Sequence, residues 1–186
     1  MTPSREEAWS LVCQYTPSDN LRRHMVAVEA VMRTYARRFG ADEDTWGVIG
    51  LVHDFDYETF PDDHPQAGER ILAQRGWPEE WRRAVLSHAD HTGVPRQSLL
   101  ERALHASDDV TGLVVAAALV HPSKDVRQVK LSSLRKKWKD RAFAGGVDRN
   151  AAAAAAEAID MPLEDHLAVV LAAMQGVASE LGLAGT

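Results

Sequence analysis

A chain of 186 residues, 45% hydrophobic and 26% charged, is long enough to bury a core and short enough to be one domain. Its formal net charge of -6 gives no reason to expect nucleic acid or an acidic membrane surface as a partner. The single cysteine, Cys13, excludes an internal disulfide framework and a cysteine-rich zinc site, and its neighbours Trp9, Leu11 and Val12 predict a packed structural thiol.

The chain reads as helical throughout. Ser4-Arg5-Glu6-Glu7 forms a capping box that opens a first helix ending before Pro17. Asp19 or Asn20 is expected to cap the second, whose inward stripe is Leu21, Met25, Val28, Met32, Tyr35 and Phe39 and whose stop is Gly40. His24 lies on that stripe. Asp42 caps a third helix, apolar from Trp46 to Val52, which runs into His53-Asp54. Asp63-His64-Pro65 predicts a helix start with proline in the first turn, ending at Gly76. Pro78 opens the next, with Trp81, Ala84, Val85 and His88 on one face. A long helix from about Ser98 to Val120 turns Leu100, Leu104, Ser107, Asp108 and Thr111 inward. Residues 124–149 are basic, with nine Lys/Arg against three Asp in an otherwise acidic chain. Asp148 caps an alanine-rich helix, and Pro162 opens a last one with Leu163, Leu167, Val170, Leu171 and Met174 as its stripe. The stretch 1–7 lacks a signal-peptide core, and the longest apolar run, Leu113–Val120, is too short to span a bilayer. A soluble, cytoplasmic setting without membrane contact is the expectation.

His53-Asp54 taken alone is explained by a histidine that caps a helix and an aspartate that starts a turn. His24, His88 and Asp108 on apolar faces change the balance. Buried charges are costly unless paired or bound to a metal, and imidazole nitrogen and carboxylate oxygen both suit divalent transition metals. One shared metal centre satisfies all of them together.

The order His24, His53-Asp54, His88, Asp108 resembles the HD-domain superfamily of metal-dependent phosphohydrolases. The resemblance implies an all-α, single-domain helical bundle with the metal between central helices. Its expected span is 1–186, with an HD core over about 20–120 and the basic segment and C-terminal helices over about 121–186. In that superfamily the matching residues His24, His53, Asp54 and Asp108 bind one metal. His64-Pro65-Gln66-Ala67-Gly68 is similar to the H-P-x-x-G pattern of dinuclear members, which adds His64 and His88 as ligands of a second ion. His91, two residues beyond the expected adjacent histidine, is either a ligand or an exposed loop residue. Ala106–Gly112 looks like the A-x-D-E-L-T-G block of bacterial stand-alone predicted HD hydrolases, and 129–144 resembles the basic block that follows it.

The resemblance implies one or two divalent ions (Fe, Mn, Co, Ni or Zn, with Mg possible) and hydrolysis of a nucleotide or other small phosphorylated molecule. Asp54 is the expected catalytic residue and Lys130 the expected phosphate-binding one. Asp56 and Glu58 either orient the attacking water or belong to a solvated acidic loop. His105, His121 and His166 are expected to be structural or solvent-facing. A di-iron oxygenase on the same scaffold and a metal-stabilised nucleotide-binding module without turnover are the alternatives. Neither metal identity nor oligomeric state is legible.

Overall fold

Short polar side chains begin the helices by accepting the orphan N–H groups of the first turns. The computed structural model describes residues 2–185; Met1 and Thr186, the ends of the expected span, lie outside them. Among the described residues there are nine α-helices and no strand: α1 Arg5–Tyr15, α2 Asp19–Phe39, α3 Glu43–Val52, α4 Gln66–Gln74, α5 Glu79–His88, α6 Leu99–Leu119, α7 Leu131–Lys139, α8 Arg149–Ala158 and α9 Leu163–Gly176. The fold is therefore all-α, as the periodicity implies. No helix among the described residues is long and apolar enough to cross a membrane.

Ser4 and Glu7 form the expected capping box of α1, and Ser98 and Glu101 form another at α6. The cap of α2 is Ser18 rather than Asp19 or Asn20: its hydroxyl accepts from Leu21 N–H, and Asp19 becomes the first helical residue, where its charge suits the helix dipole. Gly40 ends α2 in the left-handed conformation, with φ 67°. The fourth helix starts later than expected, because His64 stays in the preceding turn and Pro65 takes the capping position. Cys13 is exposed, not packed. The buried face of α1 is Ala8, Leu11 and Val12, and one further residue rotates the side chain about 100° off it.

The two 21-residue helices α2 and α6 pack against each other at the centre, with α3 and α1 on one side and α9 on the other. Every residue of α3 from Trp46 to Val52 is buried. Gly50 lies against the α2 backbone: a Cβ there would lie 2.9 Å from Met32 Cγ and 3.1 Å from the Val28 carbonyl oxygen. The backbone cannot yield there, so Gly50→Ala would cost about 1–3 kcal/mol of overpacking. That contact sets the height at which α3 ends and delivers His53.

The basic segment uses its aromatics locally. Trp138 and Phe143 pack against the core, and Lys137 Nζ sits 4.1 Å above the Phe143 ring. Arg149 is buried and donates to the carbonyls of Ala144 and Val147 at 2.6 and 2.8 Å.

Candidate metal centre

Helix α3 stops at Val52, and His53 takes its C-cap position. The Nδ1–H of His53 donates to Gly50 O at 2.8 Å, and that of His88, the last residue of α5, to Val85 O at 2.5 Å. His64 Nδ1–H donates to Asp56 Oδ1 at 2.8 Å. His24 Nδ1 lies 3.3 Å from Thr111 Oγ1, whose own hydroxyl donates to Asp108 O at 2.7 Å. All four rings thus have Nδ1 engaged behind them and Nε2 turned inward.

Those Nε2 atoms converge on two carboxylates. His24 Nε2 is 3.0 Å from Asp108 Oδ1 and 3.7 Å from Asp54 Oδ2. His53 Nε2 is 3.5 Å from Asp108 Oδ1 and 3.6 Å from Asp54 Oδ2. On its other side, Asp54 Oδ1 is 3.3 Å from His64 Nε2 and 3.2 Å from His88 Nε2. Two donor sets result, His24/His53/Asp54/Asp108 and Asp54/His64/His88, each with its donor atoms within 4.8 Å of one another.

The residues fit a divalent ion on two grounds. Two donors each about 2.1 Å from one ion stand about 3.0–3.5 Å apart at octahedral or tetrahedral angles, close to the spacings seen here. The Nε2 atoms of His24 and His53 also face each other at 3.2 Å. With both Nδ1 protons in place, the two nitrogens need a cation between them, which a proton or a metal ion supplies. The electrostatics point the same way. Burial opposes charge on His53, yet Asp54 and Asp108 prevail and push its pKa up to about 9. His64 is buried too, and Asp54 and Asp56 raise it to about 9. Asp54 and Asp108 are held well below the usual carboxylate range by the histidines around them, against the effect of burial.

The second donor set faces a cavity of about 310 Å³. Asp54, Asp90, Asp108 and Asp109 line it, with Tyr57, and among the described residues no Lys or Arg does. Burial and then Asp108 push the Asp109 carboxyl up to about 6.

The six expected ligands, His24, His53, Asp54, His64, His88 and Asp108, are brought together. Lys130 is not. It is exposed at the N-cap of α7, and α6 continues for roughly 16 Å beyond Asp108 before the chain turns toward it. Its charge belongs to a solvated face. Asp56 is neither a water ligand nor part of a solvated loop: it is fully buried and clamps His64 Nδ1 and, at 2.7 Å, Gly68 N–H. A Cβ on Gly68 would lie 2.8 Å from Asp56 Cγ, which is the physical reason for glycine at the end of H-P-x-x-G. Glu58 turns away and accepts from Ser18 N–H at 3.0 Å. His91 stands outside both donor sets with Nε2 2.8 Å from His64 O, and His105 Nδ1 is 3.2 Å from His88 O, so each braces the backbone of a neighbouring histidine. His121 sits in a turn with Ser123, and His166 is buried against Tyr35.

Sequence reasoning assigned no role to Thr111 or Asp109. The signal for Thr111 was its position three residues after Asp108 on the same helix face. Asp109 carried none, because its exposure to the cavity depends on how α5 and the 3-10 turn Asp90–Thr92 sit beside α6.

A family model described as HD domain matches residues 21–113, half of the chain and all six converging residues. No curated protein and no solved structure matches the chain.

Proposed function

The chain belongs to the HD-domain family, and from that premise we propose that it is a metal-dependent phosphohydrolase acting on a nucleotide or another small phosphorylated molecule. One observation carries the reading: each oxygen of the Asp54 carboxylate faces a different donor set, so that His24, His53, Asp54 and Asp108 would hold one ion and Asp54, His64 and His88 a second. Divalent Mn, Fe, Co, Ni, Zn or Mg would supply a Lewis acid for a phosphoryl oxygen and lower the pKa of water from 15.7 toward roughly 7.

The residues define the rest. Asp54 is the proposed catalytic residue, because its two oxygens fix the separation of the two sets. Asp108 and Asp54 together carry two negative charges, which one divalent ion neutralises and two overcompensate. The cavity walls add Asp109 and an Asp90 already paired with Arg96, and among the described residues no Lys or Arg lines them. An anionic substrate therefore enters only when both sets are filled, and the phosphoryl charge is met there without Lys130. Asp109, on the cavity wall, is placed to accept a proton.

The test is a titration of metal-free protein with Mn²⁺, Fe²⁺, Co²⁺, Ni²⁺ and Mg²⁺ against phosphomonoesters and phosphodiesters. Hydrolysis is expected to appear with the second equivalent, and to fall by more than about a thousand-fold in Asp54→Asn. Equal activity from Asp54→Asn would overturn the proposal. A dinuclear oxygenase is the second reading, favoured by the set of four His and two Asp, of which Asp54, His64, His88 and Asp108 line a cavity that has no Lys or Arg among the described residues. Iron near two per chain and oxygen consumption with an organic substrate would mark it.

A further inference from the structure

A second cavity, of about 360 Å³, begins at the back of His24. Its volume is in the range of small-molecule sites. One wall is the first turns of α2, which present Asn20, Arg23 and His24. The facing wall is α6, which presents Gly112, Val115 and Leu119. With Asp108 these positions are spaced by four, three and four residues, so they form one continuous face of the helix running away from the metal centre. From Asp108 to Leu119 that face is roughly 16 Å long. Leu181–Leu183 closes the far side.

The lining is chemically uneven. Leu119 is 53% exposed, an unusual state for a large apolar side chain. Arg23 forms no ion pair among the described residues, whereas the adjacent Arg22 is tied to Thr16 O and Asp19. The Arg23 guanidinium rests on bare backbone, since a Cβ on Gly182 would lie 3.0 Å from Arg23 Cζ. Gly112 leaves the α6 wall open: a Cβ there would meet only Val147, at 3.8 Å. Four aliphatic side chains line the groove, and among the described residues its only aromatic ring is the His24 imidazole, whose Nδ1 is taken up by Thr111. A nucleobase is normally held by a stacking platform, so the surface suits an alkyl chain better than a base.

We propose that this groove is the subsite for an aliphatic group of the phosphorylated substrate, with Arg23 meeting an oxygen of its phosphate end beside His24. The proposal rests on the phosphohydrolase reading of the metal centre and narrows it from small phosphorylated molecules in general to alkyl phosphoesters. His24 links the two, because it both closes the groove and points Nε2 into the four-residue donor set.

The test measures binding of methyl-, butyl- and hexylphosphonate, which are not hydrolysed, to the full chain loaded with Mn²⁺, with AMP as the nucleotide arm. Affinity is expected to rise about three- to four-fold per methylene in the wild type. Gly112→Leu, which fills the groove at an exposed helical position, and Leu119→Asp should both flatten that slope and leave methylphosphonate binding unchanged. Arg23→Ala should weaken all three phosphonates by a common factor of about ten and leave the slope intact. Equal affinity for methyl- and hexylphosphonate, no binding of either, AMP binding tighter than hexylphosphonate, or a slope that survives both groove variants would each overturn the proposal. The two readings fail separately. A chain-length slope without hydrolysis of hexyl phosphate would sink the reaction and keep the groove, and phosphoester hydrolysis without a slope would sink the groove alone.

Discussion

The two donor sets share Asp54 and differ in what supports them. His24 and Asp108 project from the 21-residue helices α2 and α6, which pack on each other at the centre of the core. His53 is wholly buried between them. His64 and His88 instead come from a turn and from the end of a ten-residue helix, and they face the acidic cavity. Each ring is oriented by a single hydrogen bond, to Asp56 for His64 and to Val85 O for His88, and their backbone carbonyls accept from His91 and His105. Similar donor chemistry is thus held by the packed core in one set and by a local network in the other. The first set is therefore expected to hold an ion more tightly than the second, which borders the cavity.

The largest effect that can break this comparison is at the shared residue. Asp54→Ala takes one oxygen from each set, so metal analysis should show a fall from two ions per chain to fewer than one. Two ions retained would mean that the sets are independent. The next change should separate them. Asp56→Ala frees the His64 ring, and loss of such a buttress typically costs ten- to a hundred-fold in metal affinity. Calorimetry should show the weaker site losing that factor and the tighter site unchanged; equal loss at both would remove the distinction.

A third change tests the core that carries the first set. His166 on α9 is buried against Tyr35 of α2, and burial lowers its pKa to about 4. Above pH 6.5 the imidazole is neutral in both the folded and unfolded states and contributes no pH dependence. As pH falls from about 6.5 toward 4, the unfolded chain takes up a proton that the folded one refuses. The folded state then loses up to about 3 kcal/mol. Melting curves of metal-free protein between pH 4 and 7 should show this limb reduced in His166→Gln relative to wild type. An unchanged limb would mean that α9 does not hold α2 through this pair.

Much of this architecture is legible in the chain because its signals are local. Helix caps, a glycine stop and inward spacings of three and four residues are short-range, and they carry the ligands to the inner faces of their helices. The assignments that changed depend on neighbours far away in sequence. Asp56 looks like one of several acids in a loop until Gly68, twelve residues on, is seen to clamp its other oxygen. Lys130 is one of nine basic residues in its segment, and charge density there does not say which side chain turns inward. Cys13 missed the core by a single residue of helical phase.

The loop after His53-Asp54 is fastened to the junction of α1 and α2. Thr16 donates to Phe55 O at 2.8 Å, Thr59 to Tyr15 O at 2.5 Å, and Ser18 N–H to Glu58 at 3.0 Å. That junction precedes the segment matched by the family model, which begins at residue 21. An ion held by Asp54 would be linked through this loop to the packing of α1. A helix outside the matched segment therefore helps fix the loop that carries Asp54 and Asp56.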